Sequence, residues 1–357
     1  MRKDAFQKPL PFILAVILCL APFMVNVQAE SWGWSKVASP TSVTLNSIYS
    51  ISSNEAWAVG FDGVIIKWDG TSWNKIASPT NYKLVSIDML SSNEGWAIAQ
   101  RIDGYRTNQS IIRWDGTNWS NMTSPTLSML TSVDIVSPSD GWAVGYAGII
   151  YRWDGAKWSL EESPINSPLK SVDMINPTDG WAVGSRVQIS GINYMLHWNG
   201  TNWNTIESPK IVGTGTLWSV SMVSSTEGWA VGDGGIIIRW DGKTWQNVTS
   251  PVPTNVALFS VDAISSNDAW AVGMDGTIIQ WDGTSWNNVT SPTGSWLQSV
   301  DFVSSTDGWI VGADGNIFEW TTAPPFFPWI PLVVIAAIVV AAAIVAYFLI
   351  RKRLREP

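Results

Sequence analysis

Residues 267–292, NDAWAVGMDGTIIQWDGTSWNNVTSP, recur with variation through most of this chain. The stretch holds three tryptophans: Trp270 inside Ala-Trp-Ala-Val-Gly, Trp281 just before Asp282-Gly283, and Trp286 shortly after. The first has counterparts at Trp57, Trp96, Trp142, Trp181, Trp229 and Trp309, at spacings of 39 to 48 residues. The second recurs at Trp68, Trp114, Trp153, Trp198, Trp240 and Trp320, and the third at Trp34, Trp73, Trp119, Trp158, Trp203 and Trp245. These columns hold 21 of the 25 Trp, so the excess over 10 Phe and 7 Tyr is a repeat signature. Self-similarity at this period marks a repeat architecture, and a column of the largest side chain fills the gap between stacked sheets.

Each unit reads as four short strands, A to D. In the second unit these are residues 84–90, 95–99, 111–114 and 119–123. Period-two alternation, β-branched residues and Gly/Asn/Asp punctuation favour strands, and Asp-Gly between C and D is a hairpin turn signal. Ser-Pro closes each D strand, at Pro40, Pro79, Pro125, Pro164, Pro209, Pro251 and Pro292. Four strands in about 40–45 residues is the β-propeller period. A lone D strand at residues 34–40 precedes the first unit, and none follows Trp320. Six continuous blades and one shared blade therefore close an all-β, seven-bladed ring. A linear solenoid would not need such complementary ends.

The Gly-Trp-Ala-Val-Gly block, the following Gly-x-Ile and the hairpin Asp282-Gly283-x-x-Trp286 make residues 32–320 resemble the BNR/Asp-box-like propellers, including the seven-bladed photosystem II assembly-factor type. The Asp-box proper has one residue between Asp and Gly, whereas here they are adjacent. The resemblance implies the fold. It leaves function open, because such propellers include sialidases, assembly factors and sorting receptors.

The ends differ from the body. Residues 1–29 read as a signal peptide: Arg2, Lys3 and Lys8, then an apolar run, then Val27-Gln28-Ala29 for cleavage. An uncleaved anchor is the other reading of that run. Cys19, the one cysteine, lies within it, so a processed chain has no disulfide and no thiolate ligand. Residues 30–320 form the ectodomain, and residues 321–328 a Pro-rich spacer. Residues 329–350 are apolar and long enough for a transmembrane helix, and residues 351–357 form a basic tail. This predicts a single-pass type I protein anchored in the cell membrane by its C-terminal helix, with the propeller outside. Between the ends lie 14 basic and 27 acidic side chains, about −13. So acidic a body repels phosphate backbones and argues against nucleic acid as a partner.

The candidate chemistry is thin. His197, the one histidine, shares its strand C column with Lys67, Arg113, Arg152, Arg239, Gln280 and Glu319, which describes a polar strand face. The Asp-Gly aspartates Asp69, Asp115, Asp154, Asp241 and Asp282 obey the repeat, as turn residues do. A strand A column of Asp88, Asp134, Asp173, Asp262 and Asp301 forms a partial ring. It reads either as a cation or basic-partner site or as backbone acceptors at blade junctions. Departures from the repeat are more telling. Units 2 and 4 carry B–C insertions at residues 101–110 and 185–194, and the D–A crossing at 210–217 is long. All three emerge on one face, bringing Arg101, Tyr105, Arg106, Arg186, Tyr194 and Trp218 to a common rim, the candidate partner surface. Six sequons, at Asn108, Asn118, Asn121, Asn199, Asn247 and Asn288, are glycosylation candidates.

No catalytic residue, cofactor or metal follows from this pattern. The sequence predicts a non-enzymatic binding or scaffolding module for an extracellular protein or glycan. A sialidase-like enzyme and an assembly factor for a membrane complex are the alternatives.

Overall fold

The alternating segments form 28 strands among the described residues of a computed structural model, which are 32–103, 106–122, 128–185, 194–209 and 215–322. The signal segment 1–29, residues 323–328 of the spacer, the apolar segment 329–350 and the tail 351–357 lie outside them, as do Tyr105 and Arg186. Among the described residues no helix is long and apolar enough to cross a membrane.

The strands assemble into seven antiparallel four-stranded sheets, each in the order A-B-C-D. Blade 1 comprises Leu45–Ser52, Glu55–Gly60, Ile65–Trp68 and Trp73–Ile76. Blade 7 takes its inner strands, Leu297–Ser304, Asp307–Gly312 and Ile317–Thr322, from the end of the propeller. Its outermost strand is Trp32–Lys36, from the other end. The Val37 amide donates to the Ile317 carbonyl at 3.0 Å and continues that pairing. The ring is thus closed by the complementary ends expected from the sequence.

The tryptophan columns meet between blades. The strand B tryptophan of one blade packs against the strand C and D tryptophans of the next. Trp181 lies 4.7 Å from Trp240 and 5.2 Å from Trp245, the latter edge-on at 84°. The closing junctions have the same form: Trp270 meets Trp320 at 4.6 Å and Trp34 at 5.5 Å, and Trp309 meets Trp68 at 5.0 Å and Trp73 at 5.2 Å. Strand B tryptophans are fully buried. Strand C tryptophans also fasten the A–B turn of their own blade through the indole N–H, as Trp281 does to the Ser266 carbonyl at 3.0 Å.

Among the described residues, strands D stop two to four residues before the proline of Ser-Pro, which lies in the D–A crossing rather than at the strand end expected from the sequence. The reason is local hydrogen bonding. Proline has no N–H for the ladder, and the preceding serine turns the chain instead. Ser78 Oγ donates to the Thr80 carbonyl at 2.9 Å, and Ser291 Oγ to that of Thr293, also at 2.9 Å. Gly276 of the B–C turn, at φ +70°, packs onto this crossing so tightly that a Cβ would lie 1.9 Å from the Thr293 oxygen. B–C turns and D–A crossings therefore share a face.

Strand A carries two register shifts against strand B in every blade. In blade 1 they fall between Leu45 and Ser47 and between Ser50 and Ser52, which leaves Asn46 and Ile51 unpaired. Blades 2 to 7 repeat both shifts. A bulge re-aims a side chain without ending the strand, so each innermost strand offers one extra residue near each end.

Replacing Trp181 or the closing Trp34 by Ala empties a junction and should cost about 3–5 kcal/mol in urea unfolding. A loss below about 1 kcal/mol would show that the junction tryptophans are not what holds the blades.

Candidate binding site at the channel mouth

The first bulge residue of each blade is Asn46, Val85, Thr131, Lys170, Trp218, Phe259 and Gln298 in turn. All seven line one cavity of about 540 Å³ at the face that carries the B–C turns. Phe61 and Tyr146 from B–C turns, and Lys83 and Trp296 just before the bulges, complete the wall. No two blades contribute the same bulge side chain, although the strands that carry them are near copies. These residues have no ladder partner and face the opening, whereas the second bulge of each strand, also unpaired, holds Ile, Leu or Val in every blade.

The aromatic side chains are ordered by one another and by two lysines. Trp218 meets Phe259 edge-on at 6.2 Å, and Phe259 meets Trp296 at 5.7 Å, giving a crescent over blades 5 to 7. Trp218 Nε1 donates to Asp233 at 2.7 Å, which fixes the ring. Lys170 Nζ lies 4.4 Å from the Tyr146 ring and 4.8 Å from that of Trp218, and donates to the Tyr146 hydroxyl at 3.2 Å. Lys83 Nζ lies 4.5 Å from the Phe61 ring, and burial lowers its pKa. Phe61, Tyr146 and Trp296 remain 40%, 38% and 45% exposed. Three of the five large apolar side chains exposed among the described residues thus border this one opening.

Of the rim residues expected from the sequence, Trp218 lines this opening with its side chain. Arg101 and Arg106 lie on an extension of blade 2, which is not the irregular loop expected. Strands Glu94–Asp103 and Arg106–Trp114 continue their pairing through Arg101↔Asn108 to Asp103↔Arg106. Tyr194 opens strand C of blade 4 at the same face. Phe61, Lys83, Tyr146, Lys170, Phe259 and Trp296 were missed. A signal existed for Trp296: with Trp218 it stands outside the three Trp columns, just ahead of a strand A.

The strand A aspartates sit deeper and act between blades. A carboxylate oxygen of Asp88 accepts the Ile135 amide, Asp134 that of Met174, Asp173 that of Met222, Asp262 that of Phe302 and Asp301 that of Ser50, at 2.5–2.7 Å. In blade 5 the Ser221 hydroxyl takes the role, accepting from Ala263 at 3.0 Å. Two residues earlier a serine does the same at all seven junctions, from Ser47 to Ser299, at 3.2–3.3 Å. Of the two readings of the column, the geometry displays the blade-junction acceptor. Among the described residues no group of three acidic, His or Cys side chains converges to hold a metal.

Asp88 is enclosed, and the other four keep partial exposure, yet protein surrounds all five closely enough for desolvation to dominate. Burial pushes Asp88 up to about 7 and Asp173 and Asp301 up to about 6. Burial and neighbouring aspartates raise Asp134 and Asp262 as well. Tyr49, which interrupts the ring, is raised chiefly by the Asp88 charge and then by burial.

The strand C column is structural too. Lys67 pairs with Glu55 at 2.8 Å, Arg113 with Glu94 at 2.5 Å, Arg152 with Asp140 at 3.0 Å, and Arg239 with Glu227. Each also lies over the strand B tryptophan of its blade, at 4.8–5.2 Å. His197 follows the pattern, stacked on Trp181 at 4.5 Å with Nε2 2.8 Å from Asp179. The Asp-Gly aspartates are turn acceptors, as Asp282 is for the Thr284 and Ser285 amides. Asn118, Asn121, Asn199, Asn247 and Asn288 are exposed at strand D or its turn, and Asn108 lies in the blade 2 hairpin.

The closed ring of seven four-stranded sheets defines a seven-bladed β-propeller. No protein-family model and no curated protein matches the sequence. Solved structures match it in fold. "YCF48 bound to D1 peptide" superposes with a TM-score of 0.65 at 18% identity, covering 84% of this chain and all of that one. YCF48 from Cyanidioschyzon merolae gives 0.64 at 21%, covering 81% and 99%. The WD40 propeller domain of Doa1 gives 0.64 at 12%, covering 82% and 97%.

The aspartate ring makes a pH prediction. Folded-state values above the ordinary carboxylate value mean that folding favours the protonated form. That stabilisation is complete below about pH 4 and is lost as pH rises through 6 to 7. The melting temperature should therefore fall from about pH 5 to about pH 8, and Asp88→Asn, which keeps an acceptor oxygen, should flatten the slope. A wild-type profile that rises over that interval would contradict the assignment.

Proposed function

We propose that the protein is an exported, membrane-anchored propeller that captures a segment of a protein partner at the channel mouth. The observation that carries this reading is the composition of the mouth. Seven nearly identical strands deliver seven different side chains to one cavity, and the aromatic ones stay solvent-accessible. Exposed aromatic rings on a rigid frame supply large contact area at low entropic cost. The fold neighbour that holds a D1 peptide supports peptide capture as a use of this architecture. Export and anchoring rest on residues 1–29 and 329–357, and the exposed sequon asparagines suit an exported surface.

A sialidase-like reaction is less well supported. Glycoside hydrolysis needs carboxyl groups at the bond to be broken, and the described residues lining the mouth include no Asp, Glu, His or Arg. The arginines Arg113, Arg152 and Arg239 are committed to ion pairs elsewhere.

Panning random 12-residue displayed peptides against the detergent-solubilised full-length chain tests the reading. Enriched peptides should bind Trp218→Ala and Trp296→Ala roughly tenfold more weakly or worse, with unfolding midpoints little changed. Peptides that bind both variants as tightly as the wild type would refute the mouth as the site.

A further inference from the structure

The mouth also specifies the chemistry of its ligand. Lys83 and Lys170 are the charged residues of its lining. Neither ammonium has a carboxylate partner among the described residues. This is unusual in a chain whose strand C cations are, blade after blade, paired with strand B acids. Both lysines are instead held by aromatic faces, Lys170 between Tyr146 and Trp218 and Lys83 over Phe61. An aromatic face orients an ammonium group without neutralising it. Desolvation of Lys83 adds to the cost of leaving its charge uncompensated.

The rest of the surface sharpens the contrast. The body carries about −13 between the two ends of the chain, so most of it repels an anionic ligand; at the mouth Lys83 and Lys170 attract one locally, while the Asp233 carboxylate is engaged by the Trp218 indole N–H. Opposite the lysines of blades 2 and 4 stands the crescent of Trp218, Phe259 and Trp296 on blades 5 to 7. The two halves of the opening thus ask for different groups.

We propose that the mouth binds an acidic, extended peptide segment, with its carboxylates on Lys83 and Lys170 and one large apolar or aromatic side chain seated against the Trp218–Phe259–Trp296 crescent. This rests on the reading of the mouth as a peptide site and adds the charge and the anchor that the peptide must carry. Gln298 lines the opening as a polar group for the backbone of such a segment, and Asn46 and Gln100, whose amide nitrogens donate to the Leu84 and Leu130 carbonyls, present their side-chain oxygens as acceptors.

Substitution at the lysines should leave the ring folded. The Lys170 position is Asn, Val, Thr, Trp, Phe or Gln in the other blades, and the Lys83 position is Thr, Met, Pro, Ala or Trp. The test is an array of 12-residue synthetic peptides with a central Trp, Phe or Leu. Each sequence is made in an acidic form, a form with Asp/Glu replaced by Asn/Gln, and a form with Lys in their place. Heparin oligosaccharides are included as an anionic glycan. The detergent-solubilised full-length chain is probed at about 50 mM and about 500 mM salt.

The acidic peptides should bind roughly tenfold or more tightly than their neutral forms at low salt, and the preference should shrink at high salt. Lys83→Met and Lys170→Met should each remove much of that preference while leaving the weak binding of the neutral forms unchanged. Equal binding of acidic and neutral forms overturns the charge assignment and leaves the peptide site standing. Binding of heparin oligosaccharides with none of any peptide form overturns both.

Discussion

The structure depends on one contact, the meeting of a strand B tryptophan with the strand C and D tryptophans of the following blade. A propeller blade cannot bury its faces alone, and here each face is buried by the same three rings in nearly the same geometry. The strand D ring stands edge-on to the strand B ring at six junctions, with interplanar angles of 76–90°, an arrangement that the ring quadrupole favours. Because Trp34 supplies the strand D ring of blade 7, the same contact closes the ring. With the disulfide option absent from the propeller, closure relies on this packing and on the pairing of Trp32–Lys36.

A second, polar layer lies inside the tryptophans. Serine and aspartate side chains of one strand A accept amides of the next, so adjacent innermost strands are joined without forming a continuous sheet. The carboxylates work at the cost of desolvation, which is why they are driven toward neutrality, and why serine can stand in for aspartate in blade 5. These two layers fix almost every residue of the strands. What they leave free are the first bulge positions, which line the channel mouth, whereas the second bulge holds Ile, Leu or Val in every blade. Variation concentrates at the first bulges, and with it the candidate site.

Much of this was legible in the sequence, because the contacts that make the ring repeat with it. The three Trp columns gave the blade, its strands and the shared closure. The strand A aspartates were visible as a column, but choosing between an ion site and a backbone acceptor needed the neighbouring blade, which lies 40 to 49 residues away in sequence, or 251 at the closing junction. The mouth was legible in part. Insertions drew attention to Arg101, Arg106 and Tyr194, and the crossing to Trp218. Lys170 and Phe259 hid inside an apparently regular strand A, because a bulge shifts the alternation by one and no period-two reading anticipates it, while Phe61 and Tyr146 lay in short B–C turns that follow the repeat. Phe259 and Gln298 read as ordinary strand residues until the register shows them unpaired.

The central claim is that the repeat builds the frame and the unpaired mouth residues carry recognition. It is tested most directly by replacing Lys83, Lys170, Trp218, Phe259 and Trp296 together with threonine, a residue that already occupies the corresponding positions at Thr44 and Thr131. The account predicts a chain that unfolds cooperatively with a midpoint close to that of the wild type and no longer binds acidic aromatic peptides. A variant that keeps its peptide affinity, or that loses its folded ring, would contradict it.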